Sequence, residues 1–202
     1  MVSKELKESN KFKNMSRLTE MTIPQGPAIL SSGTKEKYNS MAIGWAQFGV
    51  VWRKPVVSVY VKPERYTFEF MEKNNIFTVS FFDKEYLKAI GIYGSNSGRD
   101  VNKEKESGLH IKFLDNGGIT FEEANEVYVC RIIYKHKILV EEVDKSIIEL
   151  YESNLAGFKS TDPHGEYVGE IIGHYVKEWN IYFFFLLFNY FKIKKKNEIN
   201  VF

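Results

Sequence analysis

The sequence predicts a mainly β domain of antiparallel strands closed into a barrel. Two observations carry this expectation. Short apolar, β-branched or aromatic runs recur between turn-forming or charged residues. The regular alternation of strand and helix that marks a doubly wound sheet is missing.

Taken in order, residues 28–31, 41–46, 56–61 and 76–82 are the first four strands, punctuated by Pro24, Gly26, Pro27, Gly33, Pro55 and Pro63. Thr67 is placed to cap a helix over 68–73, because its hydroxyl can accept from amides unpaired in the first turn. Asp83 is placed likewise for 84–90, with Tyr86, Leu87 and Ile90 on one side and Gly91 just past the end. The stretch Gly94-Ser-Asn-Ser-Gly98 is rich in small polar residues and reads as an exposed loop. Residues 127–134, 137–143 and 166–176 are strand-like again. A further helix is expected over 144–153, with Ile147, Ile148 and Tyr151 inward. No internal repeat is present.

Composition narrows the functional classes. The 202 residues carry 28 Lys plus Arg against 26 Asp plus Glu, a formal net charge of +2. This is one domain's worth of chain, and 44% hydrophobic residues supply a core. So even a charge balance gives no concentrated basic face for nucleic acid. One cysteine, Cys130, excludes an internal disulfide and any site needing several thiolates, and it suits a reducing, cytoplasmic setting. Three segments are expected: a polar lead-in over 1–23, fixed by packing on a partner, a domain over 24–178, and a compositionally foreign tail over 179–202. The tail's apolar run at 181–188 is short of the roughly 20 residues a membrane span needs, and Asn189 and Lys192 interrupt its continuation. Packing on the domain or a partner is favoured over membrane contact, and an unselected extension is a third reading.

The residues offer no ready catalytic dyad. Phosphate-loop, dinucleotide-loop and zinc-protease motifs are absent, and Asn96 stands where a nucleophile elbow needs serine. The histidines His110, His136, His164 and His174 share no metal-ligand spacing, so no metal site is expected. Cys130, mid-strand, reads as a small buried apolar residue. What remains fits an anionic, aromatic ligand. Arg65, Tyr66 and Thr67 precede a helix, where an arginine fork, a hydroxyl and amides can converge on a phosphate; a cap beside a solvated arginine is the plainer alternative. In Asn39-Ser-Met-Ala-Ile-Gly-Trp45, Ala42 and Gly44 let a flat ring approach the backbone, unless Gly44 merely marks a bulge between core residues. Ser95, Asn96, Ser97 and Arg99 add donors on a loop, or form an ordinary surface turn.

Together these segments resemble the flavin reductase-like family, and within it the flavoredoxin-type branch. The resemblance runs from about Pro24 to Val176 and rests on Asn39-Ser-Met-Ala-Ile-Gly-Trp45, Trp52-Arg-Lys-Pro55, Arg65-Tyr-Thr-Phe-Glu-Phe70, Phe77-Thr-Val-Ser-Phe-Phe82, Gly94-Ser-Asn-Ser-Gly-Arg-Asp100 and His164-Gly-Glu-Tyr-Val-Gly-Glu170. It implies a split β-barrel of Greek-key arrangement that binds FMN non-covalently as a homodimer, with the flavin near the subunit interface. Asn39, Met41, Ala42, Ile43, Gly44 and Trp45 are then expected along the isoalloxazine. Arg65, Tyr66 and Thr67 are expected at the phosphate and ribityl chain, Ser80 and Phe81 flanking the flavin, and Ser95, Ser97, Gly98 and Arg99 on the phosphate side. His164, with Asp162, matches a nicotinamide-side element, although Pro163 and Gly165 depart from the usual pattern.

The activity implied is hydride transfer from NADH or NADPH onto FMN and onward to a flavin, ferric or protein acceptor. A carrier without its own NAD(P)H activity and a ligand-binding module that has lost turnover are the alternatives. Because the flavin performs the chemistry, no side-chain acid or base is required.

Overall fold

Residues 6–8, 28–154 and 164–177 are described by a computed structural model. β2 (Ala28–Gly33) and β3 (Tyr38–Ile43) form one hairpin, and β4 (Ala46–Val51) and β5 (Lys54–Val61) a second. β6 (Ile76–Phe81), β9 (Glu126–Lys137) and β10 (Gly165–Lys177) join them in the antiparallel order β3-β2-β6-β9-β10-β5-β4. β1 (Leu6–Glu8) pairs with β10 at Tyr175–Lys177, beyond the point at which β5 leaves it, so this part of the lead-in is held by its own chain. β7 (Ile111–Phe113) and β8 (Ile119–Phe121) make a separate hairpin.

The strand order brings the sheet round on itself. β3 and β4 are its two ends, yet only Gly44 and Trp45 separate them in the chain. The sheet therefore rolls until its ends meet, and no β3–β4 ladder forms among the described residues. The single strand expected over 41–46 is in fact the end of one strand, a two-residue break, and the start of another.

Strand alternation explains two cores. From β2, Leu30 enters the barrel with Val57, Val59, Phe77, Val79 and Tyr128, whereas Ile29 faces the other side with Phe82, Ile90, Tyr93, Phe121, Val127 and Val129. Each fully buried side chain of this size contributes about 1.5–3 kcal/mol relative to exposure. Two register shifts in β10 fall at Gly169 and near Gly173. A Cβ on Gly169 would come 2.5 Å from the Phe77 ring, so only glycine lets β10 cross there. Inside the barrel Glu126 accepts from Tyr128 at 2.6 Å and pairs with His174 Nε2 at 2.9 Å, which satisfies three buried polar groups.

The helices differ more from expectation. α1 (Tyr66–Lys73) is entered from Arg65 without a side-chain cap, and Thr67 lies inside it, its hydroxyl bonded elsewhere. Asp83 opens a 3₁₀ turn over Lys84–Tyr86 but gives its carboxylate to Asn125 Nδ2 at 2.7 Å. The following helix α2 (Leu87–Ser95) runs past Gly91, because Ile90 and Tyr93 bury against β2 and β8 while Leu87 stays exposed. Two of the five residues of the expected loop at 94–98, Gly94 and Ser95, are thus helical. α3 (Lys103–Ser107), capped by Asn102 accepting from the Lys105 amide at 3.0 Å, was not anticipated.

Strand β9 ends at Lys137, and Val140–Glu142 is a 3₁₀ turn instead of a strand. In α4 (Lys145–Asn154) Asp144 accepts from the Ser146 amide at 2.8 Å, and Ile147 points outward, contrary to expectation. Ile148 is half-buried, and the Tyr151 side chain lies outside the described residues, as do the 179–202 tail, Asp162 and Pro163. No helix among the described residues is long and apolar enough to cross a membrane.

Candidate functional site

Three cations gather where α1, α2 and α3 meet β3. Arg65, just before α1, reaches across to the Gly94 carbonyl at 3.3 Å in the last turn of α2. Arg99, just after α2, reaches back: it donates to the Glu64 carbonyl at 3.2 Å, pairs with Glu69 at 2.6 Å and covers the Tyr66 ring at 4.6 Å. The two arginines thus cross, each tying its own segment to the other's. Lys103 is buried below them, donating to the Ser40 carbonyl at 2.9 Å and the Tyr93 carbonyl at 3.4 Å. Burial, then the charge of Arg65, bring its amine down to about 8.

Asn39 organises the floor. Its Nδ2 donates to buried Thr67 Oγ1 at 2.7 Å, locking α1 to β3. A Cβ on Gly98 would lie 2.1 Å from Asn39 Oδ1, so the 97–99 turn sits directly on this pair. Asn39, Gly98, Arg99 and Lys103 line one cavity of about 380 Å³. Among the described residues neither Arg65 nor Lys103 has a carboxylate within ion-pair distance. Lys103, a buried cation without a counter-charge, favours an incoming anion, and the exposed Arg65 guanidinium adds charge-assisted donors at the mouth.

A second wall begins a few residues along β3. Met41 and Ala42 are half-buried and Ile43 fully buried against the cores, while Gly44 and Trp45 are exposed at the β3–β4 break. Nothing lies within 4 Å of where a Gly44 Cβ would stand, which leaves its backbone open to a flat ligand. The Trp45 indole stacks on His164 and meets Tyr60 edge-on.

The fold therefore brings together Asn39, Arg65, Tyr66, Thr67, Gly98 and Arg99, with residues 41–45 alongside. Ser95 and Ser97 lie beside them, but Ser95 donates its hydroxyl to the Gly91 carbonyl at 2.9 Å and Ser97 accepts from the Arg99 amide at 3.2 Å. Ser80 and Phe81 are placed differently. Ser80 is buried with its hydroxyl bonded to Thr120 at 2.8 Å, and Phe81 packs on Tyr128 in the barrel, so both side chains serve the core. Lys103 was missed because Lys103-Glu-Lys-Glu reads as a solvated helix start, and no local signal marks which lysine turns inward.

Comparison with known proteins agrees with this architecture. No curated protein matches the chain. Among solved structures, the FMN-binding protein from Thermus thermophilus with bound 1-cyclohex-2-enone is 21% identical over 77% of this chain and 72% of that chain, with a TM-score of 0.58. Flavoredoxin from Methanosarcina acetivorans is 22% identical over 85% and 77%, with a TM-score of 0.57. A flavin reductase-like enzyme with an FMN-binding domain from Shewanella baltica is 14% identical over 88% and 80%, with a TM-score of 0.59. The sheet is that of the split-barrel fold. The family model described as flavin reductase like domain matches residues 20–178, and the chain belongs to that family.

Proposed function

We propose that this chain is an FMN-binding oxidoreductase that accepts hydride from NAD(P)H and passes electrons to a flavin, ferric or protein acceptor. The observation that carries the reading is the pairing of an anion cradle at Arg65, Arg99 and Lys103 with an open strand break at Gly44 and Trp45.

The residues fit FMN. Two cations, Arg65 and Lys103, with no carboxylate within ion-pair distance among the described residues, and a turn packed onto Asn39, suit a phosphate. The uncovered backbone at residue 44 suits the polar edge of a flat ring. When bound, FMN supplies hydride and electron transfer. Arg65 and Arg99 hold the phosphate, and Tyr66 supports Arg99 from beneath. Asn39 and Thr67 keep the α1 entrance against β3. Residues 41–45 place backbone amides along the ring, while Trp45, Tyr60 and His164 shield one end from water. No side chain needs to move a proton in this scheme.

The protein works as a homodimer in this reading, supported by the exposed Val50, Val51, Trp52 and Tyr134 on one side of the barrel. Buried Cys130 is compatible with a reducing, cytoplasmic setting. A flavoredoxin-like carrier is the second reading, favoured by the likeness to flavoredoxin structures. Absorbance spectra of the FMN-loaded protein under anaerobic conditions separate the two. Bleaching by NADH or NADPH supports the oxidoreductase, and a flavin spectrum that neither changes supports the carrier.

A further inference from the structure

We propose that Lys103 couples capture of a phosphate-bearing ligand to proton uptake, acting as a positioning residue beneath the cradle. The inference rests on the reading of this site as an FMN cradle.

Lys103 bridges the two walls. Its Nζ holds the carbonyl of Ser40, which leads into the end of β3 and the Gly44-Trp45 break, and the carbonyl of Tyr93, which leads into Gly94 and the crossing arginines. Both acceptors are neutral, so this buried cation gains hydrogen bonds but no opposite charge among the described residues. The titratable groups around it are few. Tyr93 lies under the amine at 5.7 Å from its ring centroid, and Arg99, Asp100 and Glu104 line the same cavity. Glu104 is engaged by the Tyr38 hydroxyl at 2.5 Å. Arg65 is the charge that repels Lys103.

A phosphate dianion beside Arg65 offsets that repulsion and attracts the ammonium, so the complex favours protonated Lys103 more than the free protein does. The sign follows by linkage. Below pH about 8 the amine is protonated in both states, and affinity is flat. Above that pH binding takes up a proton, and affinity falls by up to tenfold per pH unit. The phosphate's own second ionisation, near pH 6, is complete in this range.

The test is calorimetric titration of the full chain with FMN and with riboflavin, which lacks the phosphate, between pH 7 and about pH 9. Buffers of different ionisation enthalpy give the proton count. The expected result is uptake of up to one proton with FMN above pH 8, none with riboflavin, and none with FMN in Lys103→Gln. Lys103→Arg, which stays charged, is expected to bind FMN with a flat pH profile. FMN binding without proton uptake, or with uptake that riboflavin or Lys103→Gln reproduces, overturns the coupling and leaves the cradle standing. Failure of FMN to bind at any pH overturns both. The comparison of FMN with riboflavin uses the unaltered protein, so it decides even if a variant does not fold.

Discussion

The indole of Trp45 stacks on the imidazole of His164 with ring centroids 4.5 Å apart and planes inclined by 23°. Tyr60 closes the other side at 6.3 Å, and its hydroxyl donates to Glu166 at 3.2 Å. Burial, then the Glu166 carboxylate, push that phenol up to about 12, so Tyr60 stays a neutral donor at physiological pH. Residues distant in sequence thus fix the one aromatic side chain at the junction of the sheet's two ends.

His164→Ala removes the stack and leaves the strands untouched. Such pairs contribute about 0.5–1.5 kcal/mol to the folded chain, so flavin affinity is expected to fall by up to about tenfold as the indole loses its support, and the stability of the apoprotein to fall by about the contribution of the stack. Flavin fluorescence quenching measures the first and chemical denaturation the second. Unaltered affinity would place Trp45 outside the binding surface.

Arg65→Ala is expected to weaken FMN binding by about 2 kcal/mol, the scale of a charge-assisted set of hydrogen bonds. Its side chain donates to the Gly94 carbonyl on the exposed surface, and its backbone bonds to Lys62 and Phe68 do not depend on that side chain, so the apoprotein should keep its fold. Circular dichroism and an FMN titration check the two halves.

Gly98 and Gly44 make a contrasting pair. Gly98→Ala drives a Cβ to 2.1 Å from Asn39 Oδ1 and disturbs its bond to Thr67, for an expected loss of about 1–3 kcal/mol of stability together with weaker FMN binding. Gly44→Ala meets open space in the apoprotein and should leave its stability within about 0.5 kcal/mol while obstructing a ring on that backbone. Equal effects of the two on stability would contradict the assignment of Gly44 to an open ligand-facing break.

How far the sequence discloses this site depends on where its signals are local. Period-2 runs mark β2, β5, β6 and β10 well, because each carries its own alternation or unbroken apolar run. The Gly44-Trp45 break is invisible, since the apolar pattern continues across it, and only the meeting of sheet ends makes it a turn. Thr67 resembles a cap in sequence, but its partner Asn39 is 28 residues away. Gly91 resembles a helix stop, yet burial of Tyr93 outweighs the roughly 1 kcal/mol cost of a helical glycine. Arg65 and Arg99 are recognisable through the family resemblance, whereas Lys103 is distinguished from its charged neighbours only by tertiary burial.

Cys130 is fully buried, and burial holds its thiol well above the ordinary range. Thiol-specific reagents are therefore expected to leave the native protein unmodified and to label it only upon unfolding. Rapid labelling under native conditions would contradict the core placement.

Ending the chain after Lys177, where β10 ends, is expected to preserve flavin binding and oligomeric state. Size-exclusion chromatography and an FMN titration of the shortened protein give the answer, and aggregation or loss of flavin would assign the tail a structural part.

The most direct test of the central claim is a crystal structure of the full chain soaked with FMN. The account predicts phosphate density between Arg65 and Arg99, above the Asn39–Thr67 pair, with the ring's polar edge along the backbone at Gly44 and Trp45. Density for FMN at any other surface, with this cradle empty, would contradict it.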